Sequence, residues 1–268
     1  MTDKKTGVVY RRWQAPVPGA VLLLIHGLGA HSARWEFLAD FFLARNISSY
    51  AVELSGFGET QGLRGHVDSF DVYYDDIRRL LRIIQEENPG TKVFLLGESM
   101  GALIAFMLAA LEPDLFNGLI CVSPAFLNRM KFSLLSYTAI FLSLLYNPKK
   151  QFNMPFNPEM CTSDEAYQKQ MDSDSREHRL ATSKLLFNIA LAQARAGIVK
   201  NKIKTAVLFL LAGNDKLVDS RVSENIFNVL KIKDKAMFRY PNMLHALSIE
   251  SGKEKVFEDI LSWIFKRG

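Results

Sequence analysis

The sequence predicts an α/β fold, a mostly parallel sheet with helices on both faces. Three observations predict it. Short apolar runs alternate with amphipathic stretches along most of the 268 residues, the pattern of strand–helix–strand units. The runs at 20–25, 93–96, 119–122 and 206–211 have no polar face, as expected of strands covered on both sides. The alternation stops once, from about residue 125 to 182, which reads as an insertion. Residues 1–124 and 183–268 are therefore expected to form the core, with 125–182 as a cap upon it.

Each element has its own warrant. Residues 8–13 form a first strand at the sheet's edge, and Pro16-Val17-Pro18-Gly19 turns the chain. The run 20–25 is a central strand that ends in His26-Gly27-Leu28-Gly29. A helix is expected at 33–45, with Trp35, Leu38, Phe41, Phe42 and Leu43 on its apolar side. A strand at 49–54 leads into a glycine-rich loop at 55–67, and a helix at 69–87 is closed by Asn88-Pro89-Gly90. The run from Val93 then passes through Gly97-Glu98-Ser99-Met100-Gly101 into the small and apolar residues of a helix. The strand 119–122 precedes the insertion, where 163–171 and 178–200 carry helical patterns. The strand 206–211, a helix 220–230 capped by Asp219, a strand 236–240 and a helix 254–265 complete the chain.

Composition excludes several classes. Net charge is +5, yet the basic residues scatter. They cluster only mildly, at Lys4-Lys5, at Lys149-Lys150 and between Lys231 and Lys235. No basic stripe carries interleaved aromatics, so nucleic acid is not an expected partner. Such a charge gives at most a mild attraction to anionic membrane. Cys121 and Cys161 stand apart without metal-ligand spacing and imply neither a metal site nor a disulfide framework. No signal-peptide core is visible, and no apolar run reaches the roughly 20 residues that span a bilayer. The expectation is a cytoplasmic protein, with any membrane contact peripheral.

The chemistry centres on Ser99. A Ser between two glycines, at a turn from strand to helix, has the form of a nucleophile elbow. The strained turn lifts the hydroxyl off the sheet and aims the first helix amides at the reacting carbon. The bland alternative is an ordinary turn in which Ser99 caps the helix. A Ser hydroxyl needs a base within hydrogen-bond reach. His26 is better suited to ordering its own loop, and His31, His66 and His178 lie in loops or in the insertion. His245 follows the last strand and suits the base. Asp215 follows an earlier strand and suits the carboxylate that orients it; Asp219 is the rival but reads better as a helix cap. The Met100 amide would supply one oxyanion donor and the Leu28 amide, between Gly27 and Gly29, the other.

His26-Gly27-Leu28-Gly29, Arg64-Gly65-His66-Val67-Asp68-Ser69-Phe70, Gly97-Glu98-Ser99-Met100-Gly101, Gly213-Asn214-Asp215-Lys216-Leu217-Val218 and His245 together resemble the monoacylglycerol lipase and lysophospholipase group of α/β-hydrolases. The resemblance runs over nearly the whole chain and is loosest from Arg129 to Lys150. It implies a sheet of about eight strands, one more than the apolar runs supply, with a helical cap after the sixth. It also implies a Ser-Asp-His triad, no cofactor, and an apolar acyl tunnel under the cap. Glu98 stands where animal monoacylglycerol lipases carry His and is more like the lysophospholipase and plant-type branch. The expected reaction is hydrolysis of a single-chain lipid ester through an acyl-enzyme on Ser99. The alternatives are a lysophospholipase, a short-chain carboxylesterase, a peptidase-like hydrolase, or a binding module with an idle triad.

One segment remains. Residues 132–146 are apolar on nearly every side, between Lys131 and Pro148-Lys149-Lys150. About 15 residues at 1.5 Å give roughly 22 Å, too short for a hydrocarbon core near 30 Å. The segment is expected to be a lid. Ile140 and Leu144 would face the substrate, and the outer side would meet lipid or detergent. The bland alternative is a core helix.

Overall fold

The computed structural model describes residues 1–3 and 7–267, so the Lys4-Lys5 pair lies outside the described residues. In chain order the strands are β1 (Tyr10–Trp13), β2 (Ala20–Ile25), β3 (Ile47–Val52), β4 (Val93–Glu98), β5 (Gly118–Val122), β6 (Gln151–Asn153), β7 (Leu180–Thr182), β8 (Val207–Ala212) and β9 (Lys235–Tyr240). The helices are α1 (Glu36–Leu43), α2 (Phe70–Glu87), α3 (Met100–Leu111), α4 (Leu134–Tyr146), α5 (Pro158–Cys161), α6 (Glu165–Ser173), α7 (Ser183–Val199), α8 (Ser220–Val229) and α9 (Lys253–Phe265). Seven strands make the main sheet, in the order β1-β3-β2-β4-β5-β8-β9. Only β1, at the edge, runs antiparallel to its neighbour.

Alternation along the strands divides the core. Leu23, Ile25, Leu95, Cys121 and Phe209 pack on one face, against buried residues of α2, α3 and α7. Leu22, Leu24, Leu96, Ile120 and Leu208 pack on the other, against Trp35, Phe42, Phe257 and Trp263. Each such side chain contributes about 1.5–3 kcal/mol on burial, which is why the central strands carry no polar face. All six residues of β2, β4 and β8 are buried.

The expectation of about eight strands is corrected: the sheet has seven among the described residues, and the insertion follows the fifth, β5. At the β1 edge the chain makes only an isolated bridge, Thr2 to Val9, too short to extend the sheet. The helix read at 33–45 is shorter, because Ser32–Trp35 winds as a tighter 3₁₀ turn before α1. The helix read from 178 begins at Ser183, because Leu180–Thr182 pairs antiparallel with Gln151–Asn153. Three-residue strands leave too little periodicity to be read.

Between β5 and β8 lie α4, β6, α5, α6, β7 and α7. This stretch is tied to the sheet's carboxyl end by backbone bonds, His178 N–H to Gly29 O at 2.9 Å and Thr182 N–H to Gly65 O at 2.9 Å. Arg34 pairs with Glu177 across the same seam.

Candidate active site

Ser99 stands between β4 and α3 with φ 59° and ψ −119°. A non-glycine residue in such a region stores roughly 1–3 kcal/mol, so neighbours must impose it. The glycines show how. A Cβ on Gly97 would lie 2.3 Å from the Gly101 carbonyl oxygen, and one on Gly101 2.2 Å from the Ile25 oxygen. Strand and helix thus touch backbone to backbone, and the turn has no room to relax. The Ser99 amide donates to Val122 O at 2.9 Å. The Ser99 side chain makes no capping bond to α3, so the cap alternative drops out and the hydroxyl is left for other use.

His245 Nδ1 donates to Asp215 Oδ2 at 2.8 Å, and both residues are buried. The other Asp215 oxygen accepts the Leu217 and Val218 amides at 2.8 and 2.9 Å. Burial alone would raise the Asp215 carboxyl; the His245 charge and these hydrogen bonds outweigh it and hold the group below its ordinary value. Burial alone would lower His245, but the Asp215 charge and hydrogen bond, with Glu98 beyond, raise it above the ordinary imidazole value. Asp219 instead caps α8, accepting the Arg221 amide at 3.1 Å.

His26 does what its position suggested. Its Nδ1 bonds to Gly27 O at 2.8 Å and its Nε2 accepts the Leu54 amide at 3.1 Å. Both nitrogens are engaged in the neutral form, and burial pushes the ring down to about 4. It orders the Gly27–Gly29 turn. Among the described residues neither the Leu28 nor the Met100 amide has an acceptor. Both residues, with Gly27, Glu98, Ser99 and His245, line one cavity of about 440 Å³. Its remaining wall is mainly apolar and includes Ile140 and Leu144 of α4 with Leu186 and Ile189 of α7. Asp215 sits off the wall, behind His245, 1% exposed. His31, His66 and His178 bond elsewhere: His31 faces Asp174, His66 faces Thr182 and Asp68, and His178 faces Gln151.

The sequence did not disclose what braces the His245 loop. Glu98 accepts the Ser248 amide and hydroxyl at 3.1 and 2.9 Å. Glu250 accepts the Leu244 amide at 3.0 Å and also holds Ser163 of the insertion. Arg34 reaches the same cavity wall while paired with Glu177. No spacing rule announces these partners, which meet only through the fold. Among the described residues no cluster of His, Cys, Asp and Glu could hold a metal ion. Cys121 and Cys161 are free buried thiols, and burial pushes Cys161 up to about 12.

A strained Ser at a strand–helix turn, a buried His–carboxylate pair and two unengaged amides around one cavity define a serine hydrolase of the α/β-hydrolase class. The chain belongs to the family described as serine aminopeptidase, S33, whose model matches residues 16–252. It is 30% identical to the monoglyceride lipase of Homo sapiens over 266 residues, 96% of this chain and 86% of that one. It is 26% identical to a phospholipase of Bacillus subtilis over 92% of this chain and 95% of that one. The crystal structure of the Paleococcus ferrophilus monoacylglycerol lipase superposes with a TM-score of 0.88 at 24% identity, covering 97% of this chain and 99% of that one.

Proposed function

We propose that this serine hydrolase cleaves single-chain lipid esters, a monoacylglycerol first, to fatty acid and glycerol. One observation carries the reading: a largely apolar cavity holds Ser99 and His245 in its wall and is closed on one side by the half-buried Ile140 and Leu144 of α4. Such a cavity suits an acyl chain with its ester carbon at Ser99. The family's description names aminopeptidases, but a fold family does not fix a substrate. The carboxylate in the wall, Glu98, already has both oxygens bonded to Ser248, which leaves it poorly placed to hold a free amine.

The shared cavity wall of Ser99 and His245, with Asp215 bonded behind the ring, supports the following steps. Ser99 Oγ attacks the ester carbonyl as its proton passes to His245 Nε2. Asp215 keeps the ring in the tautomer that presents Nε2 and stabilises the imidazolium. The Leu28 and Met100 amides hold the oxyanion. The imidazolium returns its proton to the departing glycerol oxygen, leaving an acyl-enzyme. Water, losing a proton to His245, then frees the acid and Ser99. Residues 125–182 act as the cap, the rest of the chain as the core, and α4 as a lid whose outer side meets the lipid surface that supplies substrate.

The test is a hydrolysis panel of monoacylglycerols, lysophospholipids and short nitrophenyl esters, run beside fluorophosphonate labelling. Ser99 should be the labelled residue, and Ser99→Ala should fold yet lose about a millionfold in kcat. Retention of a tenth of wild-type turnover would refute the nucleophile. Faster turnover of lysophospholipids than of monoacylglycerols would favour the lysophospholipase alternative instead.

A further inference from the structure

The catalytic steps do not use Glu98, a buried acid in the cavity wall. Glu98 ends β4, adjacent in sequence to Ser99, and is 4% exposed. Burial pushes its carboxyl above the ordinary value, and no Lys or Arg lies within ion-pair distance among the described residues. An unpaired buried carboxylate is costly, so a position that only fills space would be better served by an apolar or amide side chain. Here two neutral donors hold it, the amide and hydroxyl of Ser248. Both oxygens accept, which fits the ionised form.

Ser248 lies three residues after His245. The bond pair therefore ties the loop of the base to the strand that delivers the nucleophile. The loop's far side is fixed separately, through Glu250 to Leu244 and Ser163 and through the Ala246 amide to Cys161 O at 2.8 Å. We propose that Glu98 is a positioning residue: through Ser248 it sets His245 in register with Ser99, and its carboxylate shares the cavity wall with the imidazole. The inference rests on Ser99 and His245 acting as nucleophile and base. The charged groups acting on His245 are Asp215 and Glu98, both negative, and Arg34, positive. When His245 takes the Ser99 proton, the new imidazolium is stabilised from both the Asp215 and the Glu98 sides.

Glu98→Gln separates charge from shape. The amide can accept from the Ser248 N–H and donate to its hydroxyl, so the clamp survives while the charge goes. Wild-type, Glu98→Gln and Ser248→Ala proteins would be compared for kcat, KM and the pH profile of kcat/KM on a monoacylglycerol. In Glu98→Gln the acid limb should move down by at least about half a pH unit, because His245 loses a charge that favours its protonated form. Its kcat should fall on the order of tenfold at little-changed KM. Ser248→Ala keeps the charge, so its limb should stay while kcat drops. A Glu98→Gln protein with wild-type kcat and limb, altered only in melting temperature, would reduce Glu98 to a structural role and overturn the proposal. Should Glu98→Gln fail to fold, Ser248→Ala decides: a kcat loss at constant KM supports the clamp, and wild-type kinetics overturn it. Fluorophosphonate labelling of the wild type distinguishes the two failures. Without labelling at Ser99 the catalytic reading falls and takes this inference with it; with labelling, an unmoved limb sinks the inference alone.

Discussion

At the scale of single residues, His245 is both buried and held basic, and the balance is set by carboxylates. Its raised value means that the neutral, proton-accepting ring is lost at a higher pH than for a free imidazole: activity should fall as pH drops through a midpoint above 6.5. Stability runs the other way. A raised native value contributes stability that is full at low pH and fades as pH rises through it. Asp215→Asn removes the dominant favourable charge, so the activity midpoint should move down, and kcat should drop by roughly 10⁴ through the wrong tautomer. Asp219→Ala should instead cost about 1 kcal/mol of stability, read in a urea melt, because that carboxylate caps α8. Exchanged phenotypes would mean the wrong acid has been named. Ser99, Asp215 and His245 could be singled out in the sequence because each follows the end of a strand pattern, and chain order then suggests the roles proposed for them. Glu98 was noticed only as an odd residue within a motif. Its partner Ser248 lies 150 positions away, and no local rule joins two such residues.

At the scale of elements, the turn at Ser99 is held by contact and not by hydrogen bonding alone. The Gly101 position is filled by the Ile25 and His26 carbonyl oxygens, which would lie 2.2 and 2.6 Å from an added Cβ. Backbone cannot swing aside as a side chain can. Gly101→Ala should therefore cost several kcal/mol, more than an ordinary overpacking change of about 1–3 kcal/mol. Gly197→Ala, in α7 with nothing within 4 Å of the added carbon, should be neutral or slightly stabilising. Thermal melts of the pair would check this, and equal melting temperatures would mean the elbow has slack that the distances do not show. The glycines of the elbow were legible because the strand before and the helix after were both plain. β6 and β7 were not, since three residues each leave no period, and their pairing depends on partners about thirty positions apart. The helix at 134–146 was legible in extent but not in setting: with apolar residues all round, pattern alone does not say which side is covered.

At the scale of the whole molecule that setting becomes visible. In α4 only Ser143 is buried, which argues against the core-helix alternative. Tyr137, Ile140, Phe141 and Leu144, spaced as one helical stripe, line the cavity. Leu134, Leu135 and Leu145 point away and are 80%, 81% and 76% exposed. Water makes that outer face costly, at about 1.5–3 kcal/mol for each leucine that could be covered. A lipid surface would cover it. Lys131, Lys149 and Lys150 are exposed at the two ends of the helix, where ammonium groups can sit at head-group level while the leucines enter the acyl boundary. The 13 residues of α4 make roughly 20 Å, short of a bilayer's apolar thickness, so the helix would lie in the interface. The two faces can be separated by mutation. Leu135→Ser with Leu145→Ser should weaken binding to anionic vesicles on the order of tenfold or more, and should slow hydrolysis of vesicle-borne monoacylglycerol. It should leave turnover of a dissolved short nitrophenyl ester unchanged. Ile140→Ser with Leu144→Ser should spare vesicle binding more, yet depress long-chain hydrolysis far below short-ester hydrolysis, because it roughens the acyl wall. If both doubles lowered the two activities equally along with the melting temperature, α4 would be a support for the fold. If the outer double bound vesicles like the wild type, the membrane contact would have to be sought on another face.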